Sequence, residues 1–328
     1  MPHDMGGHWK PTASIDALRL RCRLLNRIRL FFEDRGVLEV ETPLLSAATV
    51  TDPHLSSMSS RYKGPGAPDG RKLFLRTSPE YAMKRLLAAG SGPIYQICKA
   101  FRDGESGRHH NPEFTLLEWY RPGFDHHQLM DEMDDFLHEI LHTEPAERMS
   151  YEDMFQRFVG VNPHDASAET LIERAHDLGL KEVENLETND RDDWLHLLMI
   201  HAIEPHIGRS KPTFVYDYPV SQSALARIRP GNPSVAERFE VYLGGVELAN
   251  GFHELTDADE QRSRFVADLE KREALGLEPV PMDGRILAAL EAGMPSSAGV
   301  ALGVDRLVAL AAGTKGISDV VAFSIDRA

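Results

Sequence analysis

The sequence predicts an α+β fold in which a mostly antiparallel sheet is flanked by helices. Strand and helix signals mix irregularly along the 328 residues, which is typical of α+β rather than doubly wound α/β proteins. The pair Gly244-Gly245 separates two apolar runs, a pattern that predicts a tight hairpin and antiparallel pairing. The chain has no internal repeat, heptad array or low-complexity tract, so solenoid and coiled-coil folds are excluded.

The first third of the chain predicts two helices and several short strands. Ser14 can cap a helix that ends near Gly36, with apolar residues at helical spacing at Leu18, Cys22, Leu25 and Phe32. Residues 37–40 read as a strand, residues 56–70 as a surface loop rich in Ser, Gly and Pro, and residues 73–75 as a return to the sheet. Pro79 suits the first turn of a second helix that runs through residue 87.

The remainder predicts a sheet interrupted by helices. Residues 94–97, 114–119, 213–218 and 239–243 are strand candidates. Helical periodicity covers residues 126–142, 169–178 and 190–207. The predicted organisation is a flexible N-terminus over residues 1–13, followed by one catalytic domain over residues 14–328 with a helical insertion around residues 126–210.

Composition excludes several classes of protein. The net charge is -15, so long-range electrostatics oppose binding to nucleic acid. Cys22 and Cys98 lie far apart in sequence, and they imply neither a disulfide framework nor a structural zinc site. The N-terminus lacks the apolar run of a signal peptide, and no stretch is long enough to span a membrane. A cytoplasmic protein without a membrane segment is expected.

Residues 101–120 contain the most informative run, in which Arg102 is followed by several carboxylates. Activation of a carboxylic acid by ATP requires the α-phosphate to be neutralised, and arginine suits that task. Arg306 follows a stretch of small residues at 298–305, where a backbone could approach a nucleotide closely. Either arginine alone is more often a surface or ion-pairing residue, so the combination carries the hypothesis.

Glu247 and Glu254 form a candidate magnesium pair. They are seven residues apart, which places them on opposite faces of a regular strand. A bulge at Asn250-Gly251 would turn both carboxylates to one side, where they could hold Mg²⁺ against nucleotide phosphates. The alternative is a plain hairpin turn at Asn250-Gly251 with two solvated glutamates.

Glu80, Glu118 and Tyr120 could accept hydrogen bonds from ammonium groups, and a diamino acid needs such an anchor at each end. The alternative is structural: Glu80 would be an ordinary first-turn helix residue, and Tyr120 a half-buried strand residue.

Three segments, in order and spacing, resemble the motifs of class II aminoacyl-tRNA synthetases of the lysyl type: residues 35–43, 101–120 and 299–306. The resemblance runs from about residue 14 to residue 328. Because the first motif arrives at Arg35, no room is expected for the N-terminal anticodon-binding module of lysyl enzymes. Residues 113–122 and 322–328 are especially similar to the truncated lysyl paralogues that modify a protein instead of tRNA.

The resemblance implies roles for individual residues. ATP is expected at Arg102, Asp103, Gly104, Asn111, Glu247, Leu248, Gly303 and Arg306. The amino acid is expected at Ser78, Pro79, Glu80, Glu118, Tyr120, Glu254 and Ala301. The two catalytic arginines would be Arg102 on the α-phosphate and Arg306 on the γ-phosphate.

Two positions depart from the lysyl pattern. Gly104 stands where a glutamate near the adenine amino group is usual, so either Glu105 or the backbone of Asp103 and Gly104 would serve that contact. Ala301 stands where glycine is usual, and its methyl group would alter the amino-acid pocket, in agreement with a shift from α-lysine toward β-lysine.

The resemblance implies an ATP-dependent ligase that forms an aminoacyl adenylate of (R)-β-lysine or lysine and passes it to a lysine of elongation factor P, with Mg²⁺ as cofactor. It also implies a homodimer. A basic stripe at Arg19, Arg23 and Arg27, with Arg21 and Arg29 nearby, could face an acidic protein or be a solvated helix face. Charging of tRNA or another carrier, and a catalytically silent regulatory paralogue, are the alternative functions.

Overall fold

The computed structural model describes residues 9–180 and 188–328. Within them the chain forms two compact units. The first unit comprises residues 9–122, 256–295 and 301–328, and the second comprises the described part of residues 123–255 together with residues 296–300. The predicted flexible N-terminus falls mostly on residues 1–8, outside the described residues, while Thr12 donates its backbone N–H to the carbonyl of Ala322 at 2.9 Å.

Helix α1 (Ile15–Asp34) opens the first unit where the sequence predicts it. The Ser14 hydroxyl accepts a hydrogen bond from the backbone N–H of Ala17, which satisfies one of the free amides of the first turn. The predicted apolar face is wrong in part, because Cys22 is exposed. The buried face consists of residues at true i, i+4, i+7 and i+8 spacing: Leu24, Ile28, Phe31 and Phe32.

The arginines of the basic stripe on α1 do not share one environment. Arg21 turns inward and forms a 2.6 Å ion pair with Asp305. Arg19 pairs with Asp16 of the same helix, and Arg29 pairs with Glu39. These local acids favour the solvated-face interpretation for Arg19 and Arg29.

The sheet of the first unit contains β1 (Leu38–Glu39), β5 (Ile94–Phe101) and β6 (Glu113–Pro122), with β1 parallel to β5 and β5 antiparallel to β6. The β5 and β6 pairing runs from Ile94 opposite Tyr120 to Phe101 opposite Glu113. It therefore brackets the loop that carries Arg102.

A second, smaller sheet contains β2 (Leu45–Ser46), β3 (Ser59–Gly64) and β4 (Ala67–Leu75), in the order β2-β4-β3. The predicted surface loop at residues 56–70 is thus wrong, because these residues form most of an antiparallel hairpin. Every residue of β3 is at least partly exposed. A strand that buries neither face lacks the alternation of apolar and polar residues by which strands are recognised.

The helices of the first unit are α2 (Glu80–Ala88), α7 (Ala258–Ala274), α8 (Gly284–Glu291) and α9 (Val304–Ala312). Helix α2 begins after Pro79 as predicted. One of the apolar clusters in this unit includes Met83 and Leu87 of α2, Tyr120 of β6 and Leu290 of α8. This packing holds α2 beside the strand that carries Glu118 and Tyr120.

The sheet of the second unit has the order β11-β10-β8-β7, with β9 on β10. Its strands are β7 (Glu147–Ser150), β8 (Thr213–Pro219), β9 (Ile228–Arg229), β10 (Val235–Leu243) and β11 (Val246–His253). The predicted hairpin is confirmed, since Gly244 and Gly245 have φ of +65° and +74°, values that glycine adopts without strain. Strand β12 (Ser297–Gly303) begins in this unit and ends in the first.

The helices of the second unit are α3 (His126–Leu141), α4 (Tyr151–Phe158), α5 (Ala168–Asp177) and α6 (Arg191–Leu198). Helix α4 and strand β7 were not predicted from the sequence, and β7 shows that the middle segment also supplies a strand. The helix predicted over residues 190–207 changes into a π turn at Met199–Ile203 and a 3₁₀ turn at Glu204–His206. Pro205 at that point cannot donate a helical hydrogen bond.

The predicted fold class is confirmed, because antiparallel strand pairs predominate in the described part of each unit and helices flank the strands. In the part of the chain that the structure describes, none of the helices combines the length and apolar character needed to cross a bilayer.

Candidate active site

Arg102 follows the last residue of β5. Its backbone N–H donates to the carbonyl of Pro112 at 2.9 Å, which closes the base of the loop over residues 103–111. The guanidinium lies over the ring of Phe114, 5.1 Å from the centroid, and 3.5 Å from Glu105 Oε1. Its buried Nε has no hydrogen-bond partner among the described residues. An arginine held in this way retains donors for an anionic ligand.

The neighbouring residues explain the departure at Gly104. The backbone N–H of Asp103 donates to the carbonyl of Ser56 at 2.8 Å, and Gly104 has φ of +78°. A glutamate at that backbone conformation would be strained, because L-residues with a Cβ adopt it rarely. Glycine at 104 therefore permits a loop conformation that a glutamate would adopt only with strain.

Arg306 lies on α9 and contacts the far end of the same loop. Its Nε donates to the carbonyl of His109 at 3.2 Å, and one terminal nitrogen lies 2.8 Å from His110 Nε2. Burial lowers the pKa of His110, and the positive charge of Arg306 lowers it further. The ring is therefore neutral at pH 7 and can accept the arginine hydrogen bond.

Both polar atoms of the Asn111 side-chain amide make hydrogen bonds. Nδ2 donates to the carbonyl of Glu113 at 2.7 Å, and Oδ1 accepts from the backbone N–H of Ile325 at 3.0 Å. This side chain ties the loop to the C-terminal segment of the chain. Gly303 lies just before α9, where an added Cβ would meet only the side chain of Arg306, at an ordinary 3.5 Å.

Glu118 and Tyr120 point to the same side of β6. The Tyr120 hydroxyl donates to Glu118 Oε1 at 2.7 Å, and both residues are buried. A carboxylate in such a place needs positively charged or hydrogen-bonding partners to remain ionised. Ala301, near the end of β12, is partly buried.

Glu80 has a partner that the sequence analysis missed. Lys84 Nζ lies 2.6 Å from Glu80 Oε1, and the lysine side chain is almost fully buried. Ser78 lies just before this helix, and its hydroxyl accepts from the backbone N–H of Glu80 at 3.4 Å. The i, i+4 spacing of Glu80 and Lys84 was the available signal, although spacing alone does not reveal burial.

In the second unit, a bulge does separate Glu247 from Glu254, but the predicted position is wrong. Tyr242 pairs with Glu247 and Val241 pairs with Ala249, so Leu248 is the extra residue. Asn250 and Gly251 stay in register opposite Glu240 and Phe239, which also contradicts the hairpin alternative. Gly251 leaves room for the Phe239 ring, which a Cβ would approach to 2.5 Å.

The bulge has the predicted consequence for the two glutamates. Glu247 and Asn250 lie opposite Tyr242 and Glu240, which are two residues apart on β10 and so face one side. Continued alternation puts Glu254 on that side as well. Glu254 is 1% exposed, and the buried Asn250 Oδ1 has no hydrogen-bond partner within the described ranges.

The same face of β10 carries a buried polar network that the sequence analysis missed. Arg238 is hydrogen-bonded to Glu240, and the Tyr242 hydroxyl donates to the other oxygen of that carboxylate. The Arg238 guanidinium also lies 4.6 Å from the centroid of the Tyr218 ring. The signal for this network that was available in the sequence is the alternation of the polar residues Arg238, Glu240 and Tyr242 with apolar residues along β10.

The family model of class II tRNA synthetases (D, K and N) matches residues 9–327. The chain therefore belongs to the class II aminoacyl-tRNA synthetase family, and the resemblance of the three motifs is confirmed.

Among individual proteins, the chain is 55% identical over 320 residues to "Elongation factor P--(R)-beta-lysine ligase" of Salmonella paratyphi A, with 98% of both chains covered. Proteins of the same name from Klebsiella pneumoniae and Salmonella schwarzengrund match with the same identity and coverage.

Proposed function

We propose that this protein is a ligase that uses ATP to activate (R)-β-lysine or lysine as an aminoacyl adenylate and transfers it to a lysine side chain of elongation factor P. The observation that carries this function is the 55% identity to elongation factor P ligases over 98% of both chains. A match of that extent covers every segment to which a role is assigned below.

The reaction has two steps. First, a carboxylate oxygen of the amino acid attacks the α-phosphorus of ATP, and pyrophosphate leaves. Second, the amine of the protein lysine attacks the acyl carbon of the adenylate, AMP leaves, and an amide forms. Neither step needs a covalent enzyme intermediate, so positioning and charge neutralisation supply the catalysis.

Arg102 is the proposed clamp on the α-phosphate, and Arg306 the proposed contact to the γ-phosphate. The buried Nε of Arg102, which lacks a partner among the described residues, supports this role, because a phosphate oxygen would satisfy it. Asp103, Gly104, Asn111, Leu248 and Gly303 are proposed around the nucleotide. The side chain of Asn111 already holds backbone groups at both ends, so we assign its nucleotide contact to the backbone.

Glu247 and Glu254 are the proposed magnesium ligands. Carboxylate and amide oxygens are the donors that Mg²⁺ prefers, and the bulge at Leu248 directs both carboxylates to the face that also carries Asn250. The residues present therefore fit the ion. When bound, Mg²⁺ would neutralise phosphate charge.

The amino acid is proposed to contact the remaining predicted residues: Ser78, Pro79, Glu80, Glu118, Tyr120, Glu254 and Ala301. Glu118 and Tyr120 form a buried acceptor pair suited to a side-chain ammonium. Glu80 would share its charge between Lys84 and the substrate.

We also propose a cytoplasmic homodimer that does not act on tRNA. The net charge of -15 disfavours a polynucleotide. Large apolar side chains are exposed between residues 30 and 45: Leu30, Leu38, Leu44 and Leu45. A concentration of exposed apolar residues is typical of an interface.

The test is intact-mass analysis of elongation factor P after incubation with the enzyme, ATP and either (R)-β-lysine or α-lysine. We expect a mass increase of one lysyl group with (R)-β-lysine, and none when ATP is omitted. In a parallel incubation with tRNA and labelled lysine, we expect no charging. Charging of tRNA without modification of the protein would favour the carrier-charging alternative. Absence of pyrophosphate exchange with either amino acid would favour the silent paralogue.

A further inference from the structure

A buried polar cluster in the second unit lies apart from the residues discussed so far. One donor atom each from His126, Glu237 and His253 lies within 4.8 Å of the other two. All three residues are buried. His126 begins α3, Glu237 lies on β10, and His253 ends β11. His253 directly precedes Glu254, so strand alternation points it to the opposite face of the sheet.

The cluster concentrates unsatisfied atoms. Within the part of the chain that the structure describes, four buried side-chain atoms of the cluster make no hydrogen bond: both ring nitrogens of His126, Glu237 Oε2 and His253 Nδ1. One oxygen of the neighbouring Asp217, Oδ1, also makes none. Buried polar groups in native proteins are usually satisfied, and an unsatisfied group costs about 1–3 kcal/mol. Such a concentration of polar atoms suits a ligand that several of them can contact at once.

The existing contacts do not remove this deficit. Glu237 Oε2 and His253 Nδ1 are 2.8 Å apart, although neither atom makes a hydrogen bond of good geometry within the described residues. His126 Nε2 is 3.5 Å from Asp217 Oδ1, which is too long for a hydrogen bond. His126, with 1% of its surface exposed, therefore lies beside the Asp217 carboxylate at a separation longer than a normal hydrogen bond.

We propose that His126, Glu237 and His253 bind a divalent transition-metal ion, with Zn²⁺ as the favoured occupant. Two imidazoles and one carboxylate are a donor set that suits zinc. Zinc bond lengths of about 2.1 Å place tetrahedral ligands about 3.4 Å apart. Glu237 and His253 are slightly closer than this, and His126 needs to approach by at most about 1.4 Å, the difference between 4.8 Å and that spacing.

The surroundings support the histidine ligands. His253 Nε2 lies 3.0 Å from the Ser296 hydroxyl, which fixes the ring so that Nδ1 faces Glu237. Asp217 Oδ1 stands beside His126 Nε2. Metal-binding histidines commonly use the second ring nitrogen for such an outer hydrogen bond. Asp217 therefore either orients His126 or supplies a fourth ligand.

Two arginines also approach the carboxylates. Arg227 Nε is 3.4 Å from Glu237 Oε2, and Arg229 lies 3.7 Å from Glu237 Oε1 and pairs with Asp217. Their side chains are 51% and 39% exposed, so both can turn toward solvent. Glu237 and Asp217 would then offset the two charges of the ion.

The test uses the full chain after removal of metals by a chelator. Co²⁺ is titrated as a spectroscopic substitute for Zn²⁺, and the visible d–d bands are recorded. We expect bands that saturate at one equivalent, disappear on addition of Zn²⁺, and are accompanied by a higher melting temperature with Zn²⁺. We expect His126→Ala and Glu237→Gln each to weaken Co²⁺ binding more than about tenfold.

His127→Ala is the matched control, because His127 is the adjacent histidine and is exposed. It should bind Co²⁺ as the unmodified protein does. Glu237→Gln preserves the shape of the side chain and removes its negative charge, so its result stands even if His126→Ala fails to fold. The proposal is overturned if Co²⁺ gives no saturable bands, which would leave the cluster as a purely structural contact of histidines with carboxylates. It is equally overturned if Glu237→Gln binds Co²⁺ with unchanged affinity.

Discussion

Arg102 owes its position to the backbone bond with Pro112 and to the ring of Phe114. Truncation of the side chain keeps the backbone hydrogen bond to Pro112 and leaves the Phe114 ring itself unchanged, so the loop should keep its conformation. We therefore expect Arg102→Ala to lower amino-acid-dependent pyrophosphate exchange by about 10²–10³-fold, the usual effect of losing one preorganised electrostatic contact.

The matched control for Arg102 is Arg61→Ala on the exposed strand β3, which should leave pyrophosphate exchange unchanged. Circular dichroism should show that both variants fold. A normal exchange rate in Arg102→Ala would contradict the assigned role.

The two cysteines should differ in reactivity. Cys22 is exposed, whereas Cys98 is buried, and burial raises the pKa of the Cys98 thiol to about 12. Because the thiolate is the reactive form, we expect a thiol reagent at pH 8 to titrate one group in the native protein and two in denaturant. Cys22→Ser should abolish the native reaction, and a rapid second group in the native protein would contradict the burial of Cys98.

At single residues, the sequence offered roles more readily than it offered partners. Roles for Arg102, Arg306 and Glu118 were proposed through motifs whose order and spacing are specific, and they remain predictions. The Lys84 partner of Glu80 and the His126 cluster were missed, because neither burial nor contacts between residues distant in sequence can be read from spacing.

At the level of elements, Asp305 connects three segments of the first unit. Its oxygens accept hydrogen bonds from Arg21 on α1 and from the backbone N–H of Thr115 on β6, and Asp305 itself lies on α9. We expect Asp305→Ala to lower the free energy of unfolding by about 3–5 kcal/mol, because it leaves a largely buried arginine without its counter-ion. Urea denaturation measures the change.

The control for Asp305→Ala is Asp16→Ala. Asp16 is the exposed partner of Arg19, and both of these residues lie on α1. Exposed ion pairs contribute little, so this variant should unfold close to the unmodified protein. Equal effects of the two substitutions would show that Asp305 is not a structural connection.

Strand β11 shows how far the sequence predicts an element. The odd separation of Glu247 and Glu254 required one extra residue if both were to face one side, and the structure has it. The sequence did not reveal its position, because Asn250-Gly251 is a common turn signal whereas Leu248 is an ordinary buried residue. The glycine at 251 instead makes space for Phe239. The exposed strand β3 was missed because it buries no apolar face.

We expect Gly251→Ala to destabilise the protein by about 1–3 kcal/mol, the usual cost of overpacking. The new methyl group would lie 2.5 Å from the Phe239 ring and 2.9 Å from Val300 Cβ. Gly284→Ala is the control, because an added Cβ there meets nothing within 4 Å. Thermal and urea unfolding of both variants measure the difference, and equal stability would contradict the close packing at β11.

At the scale of the whole molecule, the irregular mixing of strand and helix signals predicted the α+β class, and no apolar stretch was long enough to predict a membrane-spanning helix. Neither pattern could predict self-association. That expectation came from the family resemblance, and the exposed leucines between residues 30 and 45 support it. Single exposed apolar residues are normal in proteins. Several exposed leucines close together in sequence, near the predicted interface, give specific positions at which substitutions can test for a dimer.

We expect the double variant Leu30→Glu and Leu38→Glu to sediment at the chain mass of 36.7 kDa, and the unmodified protein to sediment at twice that mass. Two buried carboxylates at an apolar interface would oppose association, because burying an unpaired charge is costly. Analytical ultracentrifugation over a range of concentrations measures the mass.

Leu275→Glu controls for the loss of an exposed leucine, because Leu275 and Leu38 are each 57% exposed. It should remain dimeric. Dissociation of both variants would indicate a general loss of structure, which circular dichroism would reveal. A monomeric unmodified protein at every concentration would refute the dimer, since the exposed leucines would then have to face solvent or a different protein.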